Sequence, residues 1–496
     1  MSKKTSHSNS IENLDLSDVK LRSVRGIAIM GGRTFFMQAL SLVAFFFLTV
    51  FLDQSEIGIF LIVSAVIGFL RYFSDIGLAA SLIQKKDNPT NTQLRTTFTV
   101  QQILVLFILL VLAFLTPFLV KFYNLTNQVT MLLFAFGFSF FLASLKTIPS
   151  VLLERELKFE KLIIPDLLEN LTYHVVAVFL AWLGYGVDSF FWAILARAIV
   201  GLVAIYVIRP WNIGFAFSFV ELKQLLRFGI PYQLNTFLAT IKDDGITAFI
   251  GGIIGTSGVG YLGWAQKWSQ TPLRLIMDNV MKVTFPAFSR MQEQKDYLIK
   301  AVNKSIFFVC ALIFPSVVGM VVLSSFVLDL LPNYEKWRPA LVPLFLVSIN
   351  TMFAAATTPL TNLLNATGRI KITFYLMLMW VLLTWLFIPV LSIFHGVNGA
   401  ALGYAIVGSS SIVAIFVARK IFKFDIAFAI YKPLFSSVLM GIFVFLLSKL
   451  MTISLLSLIA LILLGGLIYL ATLYLFAGDD LVKDIKKIIS QFIRKN

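Results

Sequence analysis

The sequence predicts an all-α polytopic membrane protein of about fourteen transmembrane helices, built as two parallel six-helix lobes followed by two C-terminal helices. Three observations carry that reading. Of 496 residues, 58% are hydrophobic and only 13% charged, and the mean hydropathy of +0.88 excludes an ordinary soluble protein. Apolar runs of about 20 residues recur along the whole chain, and a backbone without water to bond must satisfy itself as helices over such lengths. Short blocks of the first half also return about 202 residues later.

The expected helices of the first half cover residues 27–52, 57–83, 97–120, 128–151, 163–183 and 187–208. Those of the second half cover 229–253, 259–287, 303–326, 339–366, 370–393 and 397–418, and the last two cover 433–450 and 453–476. This divides the chain into a cytoplasmic segment (1–26), a first lobe (27–208), a cytoplasmic linker (209–228), a second lobe (229–418), two further helices (433–476) and a tail (478–496). The segment before the first helix is polar and lacks the apolar run and cleavage site of a secretory signal. Between the first two helices, Asp53-Gln54-Ser55-Glu56 reads as helix-end punctuation.

Charge supports the count. With the amino terminus inside, cytoplasmic segments hold 29 of the 41 Lys and Arg residues, and the opposite loops hold only Lys121, Lys336, Arg338 and Lys449. One helix more or fewer would destroy that asymmetry, so both termini are expected in the cytoplasm. The net charge of +16 is thereby a matter of topology and calls for no nucleic acid. In the tail, apolar Leu481, Ile485, Ile488, Ile489, Phe492 and Ile493 alternate at helical spacing with five basic residues, the pattern of an amphipathic helix on the anionic inner leaflet. The single cysteine, Cys310, sits in an apolar run, and His7, His174 and His395 form no ligand motif, so no disulfide, metal site or cofactor is expected.

Eight cations fall inside the spans. Arg71 and Asp75 stand four apart in LRYFSD, and Arg274 and Asp278 repeat that spacing 203 residues on in LRLIMD. At an offset of 202, Arg33-Thr34-Phe35-Phe36 faces Asn235-Thr236-Phe237-Leu238, and Ile57-Gly58-Ile59-Phe60 faces Val259-Gly260-Tyr261-Leu262. Six helices separate the copies, so both run in the same direction, and transporters on this plan hold substrate between the halves near the midplane. A charge at that depth is expensive and marks the working part of a membrane protein.

Arg33, Arg71, Lys242 and Arg274 are therefore the candidate donors to an anionic headgroup, arginine being suited to phosphate by its planar fork. Asp75 and Asp278 have a plainer reading as intrahelical partners of those arginines. For adjacent Asp243 and Asp244, which point in different directions, the sharper reading is coupling to a proton or sodium ion. The plainer one is a salt bridge to Lys242 or to a facing arginine. Lys146, Arg197, Lys267 and Lys282 lie nearer helix ends, and for the three lysines the plainer reading is that the side chain reaches the interface.

FSDIGLAASLIQ at 73–84, followed by KKDNPTNTQLRTTF, LLERELKFEKL at 152–162 and RFGIPYQLNTFL in the second half resemble the Wzx-type polysaccharide flippases. The likeness is strongest to the branch of colanic acid and teichuronic acid exporters, within the multidrug/oligosaccharidyl-lipid/polysaccharide exporter superfamily. The resemblance implies a two-lobed, V-shaped bundle that moves an undecaprenyl-pyrophosphate-linked oligosaccharide from the cytoplasmic to the outer leaflet of the cell membrane. It implies no enzymatic activity. The partners expected are that lipid-linked oligosaccharide, membrane lipids and polysaccharide polymerase machinery. Related lipid II flippases have a cationic cavity on helices 1, 2, 7 and 8, and Arg33, Arg71 and Arg274 lie on three matching helices. Two rivals stand beside this reading: a multidrug exporter of the same fold, against which the excess of arginine argues, and a polyprenyl-linked glycosyltransferase, for which the outer loops are too short.

Overall fold

A computed structural model describes residues 16–123, 127–422 and 426–493, all of whose regular structure is helical. Among the described residues, eleven helices are long and apolar enough to cross a membrane, or twelve when one bent pair is taken as a single crossing. Two of these runs, of 54 and 53 residues, each hold two expected spans, which is consistent with fourteen crossings. The tail's amphipathic pattern, the Asn235-Thr236 half of the repeat and the segment 1–15 lie outside the described residues and side chains.

The chain divides into two compact units, 1–259 and 260–496. The first begins with α1 (Leu16–Phe51), α2 (Gln54–Arg71), the short α3 (Leu78–Gln84) and α4 (Asn91–Phe122). It continues through α5 (Asn127–Leu145), α6 (Thr147–Arg155), α7 (Phe159–Trp182), α8 (Asp188–Ile208) and α9 (Phe219–Thr240) to the start of α10 (Ile246–Arg290). Here α7 packs on both α1 and α8, α5 lies on α8 and α4, and α9 lies on α3 and α4.

The second unit takes up the rest of α10, then α11 (Lys295–Leu330), α12 (Leu341–Ala366), α13 (Ile370–Ser409), α14 (Ile412–Phe422), α15 (Ala427–Leu450) and α16 (Leu455–Ile493). Its helix α11 packs between α12 and α15, and its core includes Ile306, Val309, Cys310, Ile313 and Leu360. Cys310 is buried as expected, and its thiol lies among apolar neighbours. The chain bends at Gly255 (φ 70°) in α10 and at Gly396 (φ 56°) in α13, a left-handed conformation that a side chain would strain.

Amphipathicity is inverted, as lipid requires. Along α4, Phe107, Leu110, Phe114 and Phe118 recur at helical spacing and are exposed, Phe114 by 84%. The N-terminal end of α4 buries Gln93, Thr96 and Thr97, and the sides away from the phenylalanines bury Gln101 and Gln102. Gln101 Nε2 donates to Thr147 Oγ1 at 2.9 Å and Gln102 Nε2 to Ser144 Oγ at 3.1 Å, bonds that hold helices together where apolar contact has no advantage over lipid.

Two prolines inside helices share one remedy. Pro149 has no N–H for the carbonyl of Leu145, and the chain bends by 41° between α5 and α6 at that point. Tyr206 donates its hydroxyl to that carbonyl at 3.0 Å. In the second unit Pro315 frees the carbonyl of Ala311, and Tyr469 occupies it at 2.7 Å.

Two expectations change here. Residues 57–83 do not form one helix: α2 ends at Arg71, a 3₁₀ turn follows, and Ile76 (φ 47°) and Gly77 (φ 77°) reverse the backbone before α3. The cause is a close backbone crossing, since a Cβ on Gly77 would stand 2.3 Å from the carbonyl oxygen of Gly229. Asp75 caps the new helix, its Oδ1 accepting from the amide of Ala79 at 3.1 Å. It is thus not the intrahelical partner of Arg71. The expected helix 128–151 is likewise broken, at Lys146. Asp53-Gln54-Ser55-Glu56 does punctuate a helix start, with the Asp53 amide donating to Glu56 Oε2 at 2.8 Å.

At the end of α3, Arg155 donates to the carbonyls of Leu82, Ile83, Lys85 and Asp87, at 2.6, 3.2, 2.7 and 2.9 Å. A cation on the orphan carbonyls of a helix C-terminus closes that helix in the way the helix dipole favours.

Candidate functional site: an intramembrane charge cluster

Five elements of the first unit bring charge to one place. On α7, Asp166, Glu169 and Tyr173 stand at i, i+3 and i+7 and so share a face. Arg33 of α1 donates to Asp166 at 2.6 Å (Nη2 to Oδ2). Lys146, at the bend between α5 and α6, donates to Glu169, and Arg197 of α8 stands 3.7 Å from the other oxygen of that carboxylate. The Arg197 guanidinium also lies over the ring of Tyr173, 5.8 Å from its centroid. Tyr173 is buried and stacks on Phe60, which stacks in turn on Phe190, giving the charges a rigid floor.

Arg71 ends α2 on the rim of this cluster. Its backbone carbonyl is held by Ser74 Oγ at 2.7 Å, and the charges of Arg197 and Glu169 act on its guanidinium, which places it on the cluster side of α2. Among the described residues it has no carboxylate partner. Glu154 of α6 adds a further carboxylate, which feels the charge of Asp166. Four cations thus share the cluster with three acids, and the bare one is Arg71. Among the described residues no three His, Cys, Asp or Glu side chains stand together as metal ligands.

The other candidates sort differently. Lys242 pairs with Asp243 at 2.5 Å within a π-helical turn, residues 241–245, which is the plainer of the two readings. Asp244 packs its carboxylate against Gly68 of α2, where a Cβ would meet Oδ2 at 2.8 Å. In the second unit Arg274 is exposed on α10 and reaches only Gln270 Oε1, at 3.4 Å. No ion pair joins it to Asp278 among the described residues; its charge acts instead on Lys267, two turns back. Arg71 and Arg274 therefore match each other more closely than the repeat requires: neither is neutralised by the aspartate four residues on.

Asp166 and Glu169 are the residues a count of cations passes over. Their signal is present in IIPDLLENLTYH, two acids three apart inside an apolar span, which is as anomalous as the arginines themselves. Lys146, read as reaching the interface, instead turns inward onto Glu169, where Arg197 of α8 joins it.

Comparison with known proteins agrees with this architecture. The family model described as "Polysaccharide biosynthesis protein" matches residues 47–341. The lipopolysaccharide biosynthesis protein WzxC of Escherichia coli (strain K12) is 24% identical over 425 residues, covering 83% of this chain and 82% of WzxC. The succinoglycan biosynthesis transport protein ExoT of Rhizobium meliloti (strain 1021) is 25% identical over 169 residues, about a third of either chain (34%). Among solved structures, the lipid II flippase MurJ in an inward closed conformation superposes with a TM-score of 0.75 at 17% identity, over 91% of this chain and 100% of that one. An inward-facing multidrug resistance MATE family transporter of the MOP superfamily gives 0.62 at 16% identity, over 78% and 94%. An all-helical multi-pass fold of this type, with cations inside its first six spans and a family match across 47–341, makes the chain a member of the polysaccharide biosynthesis protein family.

Proposed function

We propose that the protein flips an undecaprenyl-pyrophosphate-linked oligosaccharide from the cytoplasmic to the outer leaflet of the cell membrane by alternating access, for surface polysaccharide synthesis. The observation that carries this reading is the guanidinium of Arg71, left without a carboxylate partner among the described residues, in the field of Arg197, and repeated in sequence by unpaired Arg274. Within a membrane span a cation without a partner is costly, and a pyrophosphate supplies the missing charge with the oxygens an arginine fork fits. WzxC and ExoT are named for polysaccharide biosynthesis and transport, which supports the sugar part of the reading. Both termini lie in the cytoplasm in this proposal, on the asymmetry of basic loops, and the energy for rocking comes from a coupled proton or sodium ion.

The test is export in a deletion strain carrying Arg71→Ala, Arg274→Ala or both. Loss of surface polysaccharide, with the lipid-linked intermediate accumulating and protein levels unchanged, is expected. Full export by the double variant overturns the assignment of these arginines. Drug sensitivity of the deletion strain with normal surface polysaccharide would instead favour a drug exporter.

A further inference from the structure

The two carboxylates that meet cations on α7 are held very differently. Glu169 is buried, 8% exposed, and has two cations, Lys146 and Arg197. Behind it α8 presents Gly201, where a Cβ would stand 2.0 Å from Oε1 and 2.3 Å from Cδ, so the carboxylate rests on bare backbone and has no room to turn. Asp166 is 37% exposed in its side chain and has one cation, bonded through one nitrogen and one oxygen. The paired arginine is not used up by that bond, since Arg33 Nε has no hydrogen-bond partner among the described residues. At Asp166 the field of the cations Arg33, Lys146 and Arg197 is opposed by the carboxylate of Glu169. An acid that is part-exposed, singly bonded and has a second carboxylate in its field gives up its partner more readily than one clamped between two cations.

We infer that Asp166 is an exchangeable counter-ion: it occupies Arg33 when the site is empty, yields that guanidinium to the phosphate of the substrate, and then repels the bound phosphate to promote its release. Glu169 is a permanent counter-ion that positions Lys146 and Arg197. This rests on the reading of the cluster as a phosphate site and adds to it the residue that sets affinity. No bond is made or broken in the exchange; one hydrogen-bonded ion pair replaces another. Asp166 is a positioning residue, and its role opposes binding, so its removal changes affinity in the direction that a structural role cannot.

The test uses the full-length protein in nanodiscs and two probes, farnesyl pyrophosphate and inorganic pyrophosphate. Asp166→Asn and Asp166→Ser are expected to bind either probe about tenfold more tightly than wild type, one repelling charge having been removed from a partly buried site. Asp166→Glu is expected to restore wild-type affinity, and in cells the two neutral variants export more slowly because release is slowed. Unchanged or weaker binding in both neutral variants, with Arg71→Ala still weakening binding, overturns the exchange and leaves the phosphate site standing. Binding that is indifferent to Arg71→Ala as well overturns the phosphate site itself.

Discussion

Glu169 lies with its carboxylate against the Cα of Gly201, one helical turn along α8 from the Arg197 that it pairs with. A glycine is needed at that position because the acid of a neighbouring helix occupies the space of its side chain, and no special backbone angle is involved. The contact brings α7 and α8 close enough for Arg197 and Lys146 to reach the same acid from two sides.

Gly201→Ala is accordingly expected to destabilise the protein by about 1–3 kcal/mol, since a methyl group must displace a pinned carboxylate. The check is thermal unfolding of the purified protein in detergent. Gly466→Ala in α16, with open space at its Cβ, should leave the transition where it is.

Asp75 is a helix cap here, so its value lies in accepting an amide and not in carrying charge. Asp75→Asn and Asp75→Ser, which still cap, should leave stability and export near wild type, whereas Asp75→Ala should cost about 1 kcal/mol. Loss of export in Asp75→Asn at normal expression would show that the charge matters.

The hydroxyl of Tyr206 is matched to Pro149. Tyr206→Phe should cost about 1 kcal/mol in wild type, because the Leu145 carbonyl is left without a donor. In a Pro149→Ala background the restored amide of residue 149 satisfies that carbonyl, and the same change should be nearly silent. A double-mutant cycle of unfolding free energies decides it, and additivity would show that the two residues are not coupled.

Arg155→Lys keeps the charge and removes the fork that reaches four carbonyls at and just past the end of α3. The expected cost is about 1–3 kcal/mol, together with faster amide exchange in residues 82–87 measured by mass spectrometry. Exchange unchanged in that segment would assign the arginine a merely electrostatic role.

The membrane class, the positions of most spans and the identity of the anomalous cations were legible in the sequence, because each follows from local composition. A run of some twenty apolar residues forms a helix in lipid whatever its neighbours do. The halves of the Arg71 and Asp75 motif, in contrast, read as a pair because they are four apart, and that inference needs an unbroken helix. The helix breaks through a contact with Gly229, 152 residues further along the chain, which no local pattern records. Lys146 and Arg197 were legible as intramembrane charges, but their common partner was not, because Glu169 sits on a third helix.

Sequence alone determined that this is a multi-pass helical membrane protein carrying repeated cations at depth, since hydropathy and charge are properties of single segments. Only the tertiary structure decided which of those cations are neutralised, by Asp166, Glu169 and Asp243, and that Arg71 is not. Electrostatic pairing falls off over a few ångströms, and distances that small between residues far apart in the chain are set by how helices pack.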